Sequence, residues 1–418
     1  MQVYRASLVV LALLLCTTAH AEPAALGTLT LSQAEALLLA HNHGIQSAER
    51  MVEGLRADRI SAAQRPNPTL SLGVTSISVE RKPAGKYWDK PLDSVMRLEQ
   101  SIERGDKREL RIRTAEQAIK SGEADTSEII RQQRIALASA YYDLLLAQDK
   151  ERINRQTVAL YEKSVGAAHL RLKAGDVAPT ELARLQVEAA RASNDLRQSQ
   201  AEQEKAQIAL AYLIGAEKQA AQIHASDLWP EVQALAGLDL ESLLDTRPDI
   251  RSAQARVAFA DARRAQARAL LKRDVSVGMQ YEHYPPDARN TVGIGISFPL
   301  QLNYQYEGEI RRAESDYSAA LEDLEQVRAA ARSELGRIRS DLESTAELVA
   351  RYRNELLAKA EKSAAAAEFA YQRGALPLLD LFDARRTLRS IQLETAGACS
   401  NYAKALSAWQ ISMTREKL

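Results

Sequence analysis

From Gly105 to Leu172 the chain contains no proline and reads as helix throughout. A helix of almost seventy residues is roughly 100 Å long at about 1.5 Å per residue, which no compact domain can hold. The chain must therefore fold into something elongated. In the next helical stretch, Thr180 to Ile214, leucines at 182, 196 and 210 and at 185 and 213 keep a seven-residue spacing, the mark of a coiled-coil seam. A second long helix follows Pro299 and runs to Arg373, with Leu321, Leu335, Leu342, Val349 and Leu356 on sevens. A shorter one carries Leu381, Leu388, Tyr402 and Trp409 on the same spacing. Aromatic residues make up only 5% of 418, in keeping with long helices rather than several compact domains.

Two turns punctuate these helices. In Tyr371-Gln-Arg-Gly-Ala-Leu-Pro-Leu-Leu-Asp-Leu-Phe-Asp-Ala384, Gly374 offers the left-handed conformation that closes a helix and Pro377 suits the first turn of the next. An earlier stretch, Leu172 to Leu182, repeats the plan with Gly175, Pro179 and Glu181. Each predicts two helices folded back on each other. Just past the second turn, Asp380 and Asp383 stand three residues apart, on one helical face.

The similarity extends along the whole chain. Ile250-Arg-Ser-Ala253 repeats Ile45-Gln-Ser-Ala48, Ser276-Val-Gly278 repeats Ser71-Leu-Gly73, and Ala313-Glu314 repeats Ala115-Glu116. A first helix is expected from Leu31 to about Gln64, capped by Ser32 with Glu35 three residues on, and stopped by Pro66 and Pro68. Strands are expected at about 69–79 and 95–102, and again at about 274–282 and 291–298, each alternating apolar with polar or glycine positions. The unit is helix, β-hairpin, long helix, turn, helix. We expect repeat 1 over residues 22–214, a linker over 215–239, and repeat 2 over 240–418. Residues 1–21 read as a secretory signal: Arg5, an apolar run from Leu8 to Leu15, and Ala19-His-Ala21 before the cleavage point. Leu15 stands before Cys16 where lipoprotein processing needs a small residue, which argues against lipidation.

Equal numbers of basic and acidic residues, 55 each and spread along the chain, give no basic field for nucleic acid. Cys16 and Cys399 cannot form a disulfide framework once the first is removed. No nucleophile motif, phosphate loop or zinc spacing supports catalysis, and no cofactor is expected. His41 and His43 sit two apart in a predicted helix and point away from each other, while His169, His224 and His283 are isolated and read as surface residues. No metal site is expected.

Past the signal no apolar run reaches the ~20 residues of a spanning helix, so a membrane crossing would have to be made by strands. Strands of ~10 residues with one apolar and one polar face suit a membrane barrel, which must close, and four strands cannot close one. Several chains would have to share it. Two soluble hairpins over a core are the plainer alternative. A periplasmic coiled-coil scaffold or adaptor is the rival function, although an adaptor would carry one helical hairpin rather than two.

Taken together, the doubled plan resembles the TolC family of outer-membrane efflux channels over essentially the whole mature chain. Pro66-Asn-Pro68 opening the first strand, and Gln100-Ser-Ile-Glu-Arg-Gly-Asp-Lys-Arg108 leaving the second, look most like its CzcC-type branch, which serves heavy-metal cation efflux. The resemblance implies a mainly α fold with a small β part, and a homotrimer with a twelve-stranded outer-membrane barrel continued by a periplasmic α-helical coiled-coil barrel. It also implies docking to a periplasmic adaptor and, through it, to an inner-membrane pump of the RND type. Carried over residue by residue, it makes Asp380 and Asp383 the acids that narrow the tunnel mouth, six carboxylates in three chains. Tyr371 matches a tyrosine that latches the closed state, and Glu181 stands where its acid partner would. Leu376 occupies the place of a basic neighbour found in some relatives. Gly175, Gly374 and Leu378 fall at the adaptor-docking tips.

Overall fold

The computed structural model describes residues 27–77, 86, 92–233, 244–284 and 288–413. The expected signal segment with Cys16, residues 78–79 of the first expected strand, and residues 234–239 of the linker lie outside this set.

The chain runs β1 (Thr28–Leu29), α1 (Leu31–His41), α2 (His43–Ala62), β2 (Thr69–Thr75), β3 (Asp93–Ile102), α3 (Lys107–Ala174), α4 (Pro179–Leu213) and β4 (His224–Ala225). It continues as α5 (Pro248–Ala269), β5 (Val275–Tyr284), β6 (Ala288–Ser297), α6 (Glu307–Arg351), a π-helical turn (Tyr352–Leu356), α7 (Leu357–Gln372) and α8 (Leu378–Met413). The molecule is mainly helical with a small sheet part. The first helix departs from expectation at its start and in its interior. Its cap is Thr30, not Ser32: the Thr30 hydroxyl accepts from Gln33 N and the Gln33 side chain accepts from Thr30 N, so the capping box sits two residues earlier. The helix is also broken at Asn42, whose extended backbone and side-chain bond to Ile45 N (3.1 Å) start α2 afresh. The asparagine amide then donates to Leu213 O (2.9 Å), tying this break to the end of α4.

Four strands form one antiparallel sheet in the order β2-β3-β5-β6, joining the hairpins of the two repeats through β3 and β5. The register lines Leu70, Leu98, Met279 and Ile294 in one cross-strand row and Leu72, Met96, Tyr281 and Val292 in the next. Ser71, Arg97, Gln280 and Gly293 make a row on the opposite face. The first strand stops at Thr75 rather than near residue 79, because Ser76 takes a left-handed φ of 59°. His283, expected at the surface, is buried at 4% exposure, with its Nδ1 3.1 Å from Asn290 Oδ1.

Strand-to-helix corners are built alike in the two repeats: Asp106 (φ 56°) precedes α3 and Tyr306 (φ 56°) precedes α6. At mid-length the helices are cemented by a buried cluster that includes Leu38, Leu137, Tyr141, Leu144, Leu210 and Ile223. The Tyr141 hydroxyl donates to Leu29 O (2.9 Å) and accepts from Ser226 N (3.2 Å) and Asp227 N (3.1 Å), clipping both β1 and the linker onto α3. Burial, with a further push from Asp227, raises this phenol to about 12. Of the expected seam residues, Leu342 and Val349 are buried together against Tyr402 and Trp409 of α8, while Leu335 is buried in a separate cluster with Leu244, Ile250 and Ala331. Leu321 is 40% exposed and lies off the seam. Among the described residues no helix is long and apolar enough to cross a membrane.

Candidate functional site

Far from the sheet, the helices end in two hairpin turns of the same construction. In the first, Gly175 N donates to Leu172 O (3.0 Å) and Asp176 N to Arg171 O (2.9 Å); in the second, Gly374 N donates to Tyr371 O (2.9 Å) and Ala375 N to Ala370 O (2.9 Å). Both glycines are left-handed, at φ 81° and 73°, the conformation these bonds require. Both are exposed, with open space where a Cβ would stand. Pro179 opens α4, but Pro377 sits one position before α8, its carbonyl accepting from Leu381 N at 3.4 Å. Leu378 is not simply presented to solvent: it packs against the buried cluster of Tyr161, Ala168, Leu182, Leu185 and Phe382.

The two turns meet through a side-chain bond. The Tyr371 hydroxyl, at the end of α7, donates to Glu181 Oε1 in the first turn of α4 at 2.9 Å. Arg171, at the end of α3, reaches the same hydroxyl oxygen at 3.5 Å and lies 5.8 Å from the ring centroid. Leu376 supplies no basic group here, and Arg171 of the first hairpin stands beside the phenol. Its signal in the sequence was an arginine four residues before Gly175. Burial and the charge of Glu181 push the Tyr371 phenol up, against a smaller pull from Arg171.

Asp380 and Asp383 are both exposed, on the side of α8 away from the other helices. Within one chain and among the described residues Asp380 has no ion-pair partner. Asp383 is paired with Arg386 at 2.5 Å, a pair with both side chains more than half exposed. That pairing was not foreseen, although Arg386 lies one turn along the same face. The inward side of this helical segment holds Leu381, Phe382 and Arg385, all buried. Among the described residues no group of three histidine, cysteine, aspartate or glutamate side chains is placed to hold a metal ion.

Residues 36–216 and 240–409 match the model of a family described as outer membrane efflux protein. The chain is 24% identical to the cobalt-zinc-cadmium resistance protein CzcC of Cupriavidus metallidurans over 382 residues, 89% of this chain and 87% of that one. It is 28% identical to the pyoverdine export outer membrane protein OpmQ of Pseudomonas aeruginosa over 300 residues, 68% of this chain and 62% of that one. Its fold matches the outer membrane protein VceC of Vibrio cholerae with a TM-score of 0.73 at 18% identity, covering 92% and 95% of the two chains.

Proposed function

The chain belongs to the outer membrane efflux protein family, whose members are channels rather than enzymes, and from that premise we propose that it is the outer-membrane channel of a tripartite efflux system. It conducts passively, receiving substrate from an inner-membrane pump of the RND type through a periplasmic adaptor. Three copies assemble, each lending four strands to a twelve-stranded barrel, and their helices continue it as a hollow tunnel through the periplasm. In this reading residues 1–21 are the signal, 22–214 and 240–418 the two repeats, and 215–239 the linker between them.

The observation that carries the reading is the sheet. Its terminal strands β2 and β6 have no partner on their outer edges among the described residues, and one face carries the two apolar cross-strand rows that contain Leu70 and Leu72. Leu72, Val292 and Ile294 are 73%, 72% and 78% exposed there. Open edges and bare leucines would aggregate in water and cannot face lipid unclosed; neighbouring copies and a bilayer satisfy both. Heavy-metal cations are the proposed substrate class, supported by the similarity to a cobalt-zinc-cadmium resistance protein over most of both chains. Asp380 and Asp383 form the cation-favouring mouth, Tyr371 and Glu181 the closed-state latch, and Gly175, Gly374 and Leu378 the adaptor-docking tips.

Carbonate-washed membranes should retain the protein, and detergent-purified material should be a trimer by light scattering. Recovery in the soluble periplasm would replace the channel by a scaffold. A deletion strain challenged separately with zinc, cobalt, cadmium, copper and hydrophobic drugs assigns the substrate. Sensitivity to drugs alone would overturn the metal assignment.

A further inference from the structure

Two arginines one turn apart on α8, Arg385 and Arg389, fasten that helix to the first hairpin. Arg385 is buried at 8% exposure: Nη1 donates to Ser164 Oγ of α3 (3.0 Å), Nε donates to Glu368 Oε2 of α7 (3.1 Å), and the guanidinium lies 5.8 Å from the Tyr161 ring centroid. Arg389 Nε donates to Asn154 Oδ1 of α3 (3.0 Å), and its Nη2 pairs with Asp195 Oδ2 of α4 at 2.6 Å. Asn154 is itself buried and donates to Asp195 O (3.3 Å), so the acceptor for Arg389 is held in place. Between the arginines and the turn, Phe382 packs on Tyr161 with ring centroids 5.9 Å apart.

At ~100° per residue, Asp380 and Asp383 lie about 60° apart, while Phe382, Arg385 and Arg389 gather roughly 150° away on the other side of the helix. Anything that fixes the second face sets the direction of the first. We propose that Arg385 and Arg389 are positioning residues for the acid pair: they set the roll of α8, and so aim Asp380 and Asp383 at the axis of the mouth. The inference rests on the acid-mouth reading above. Fork geometry is what the role needs, since each guanidinium engages two helices at once, which a lysine ammonium on a flexible stem does less well. Loss of the clasp leaves the carboxylates present but free to roll away from the axis, so selectivity falls without any change in the number of acids.

The test uses the full-length trimer in planar bilayers under a salt gradient, with reversal potential as the readout. The double variant Arg385→Gln/Arg389→Gln should remain trimeric and show a reversal potential shifted toward zero, in the direction of Asp380→Ala/Asp383→Ala. Arg389→Gln alone, at a partly exposed position, should shift it less, and the exchange Arg389→Asp/Asp195→Arg should restore it. A purely structural role predicts neither the shift in a stable trimer nor its rescue by exchanged charges. Wild-type reversal potentials in both arginine variants, with the aspartate variant shifted, would overturn the positioning role and leave the acid mouth standing. An unshifted aspartate variant would remove the mouth reading, and the positioning role with it.

Discussion

Replacing Tyr371 by Phe removes one hydroxyl and keeps the ring that lies beside Arg171. What is lost is the 2.9 Å bond to the Glu181 carboxylate. A hydrogen bond to a charged group contributes about 1.5–3 kcal/mol, and partial exposure of this pair places it near the lower figure. If the three copies open together, the closed state loses ~4.5 kcal/mol, about a thousandfold in the closed-to-open ratio at ~1.4 kcal/mol per decade. Single trimers of Tyr371→Phe in planar bilayers should therefore open far more often than wild type, and Glu181→Gln should do likewise. The sign of the pH dependence follows from the phenol. Its folded pKa is raised above the ordinary value of about 10, so its bond is complete below that value and is lost as pH rises through the folded one. Wild-type openings should increase only on the alkaline side, and Tyr371→Phe should show no such rise. Wild-type open probability in both variants would refute the latch.

Three further outcomes follow from named contacts. Gly175→Asp and Gly374→Asp should abolish efflux in cells while trimers form normally, since each added side chain meets open space and costs only ~1–2 kcal/mol of left-handed strain; normal export would remove the tips as the adaptor site. Tyr141→Phe strips Asp227 N of its hydroxyl partner and weakens the hold on Leu29 O, for about 1–3 kcal/mol, read as faster proteolysis of the 223–233 segment with channel activity retained. Asp106→Gly should raise thermal stability by about 1 kcal/mol, because Asp106 sits at φ 56° without a side-chain cap bond; unfolding in detergent at or below the wild-type temperature would contradict it.

The long helices were legible because nothing interrupts their pattern, and the strands because Val292, Ile294 and Ile296 alternate cleanly with Thr291, Gly293 and Gly295. The break at Asn42 was not, since its apolar neighbours continue a helical period and the tertiary bonds of its amide to Leu213 O and Gln133 Oε1 add to the local cap on Ile45 N in rewarding a break there. The same limit applies to charge. Arg247, 2% exposed, pairs with Asp249 (2.7 Å) and with Glu334 of α6 (2.6 Å), an arrangement that periodicity cannot reveal because Glu334 lies 87 positions from the arginine. Burial by itself would raise Asp249, but the bonds and charge of Arg247, aided by Arg131, outweigh it and hold that carboxyl below its usual range. Near the two turns, spacing singled out Asp380 and Asp383, and the resemblance to the TolC family pointed to Tyr371 and Glu181, whereas Arg171, Arg386 and the Arg385–Arg389 clasp became visible only when the hairpins were brought together.

Comparing the two hairpins position by position explains why only one acid is left free. With the 199 positions from Gly175 to Gly374 as the shift, Glu181 corresponds to Asp380, Arg184 to Asp383 and Leu172 to Tyr371. Both hairpins therefore place a carboxylate in the first turn of their second helix, where the dipole favours it. In repeat 1 that carboxylate is satisfied by Tyr371 from the other hairpin. In repeat 2 the corresponding donor would come from position 172, and a leucine has none to give. Asp380 is thus left to water or to a passing cation, and Asp383 replaces a position that is basic in the first hairpin. The two turns repeat one plan, and the divergence at 172, 184, 371 and 383 leaves the first carboxylate bonded and Asp380 without an ion-pair partner among the described residues. Giving the first hairpin a donor, by Leu172→Tyr, should therefore engage Asp380 if the two hairpins approach symmetrically, and weaken cation preference in bilayers. An unchanged reversal potential would show that a phenol at position 172 does not reach Asp380.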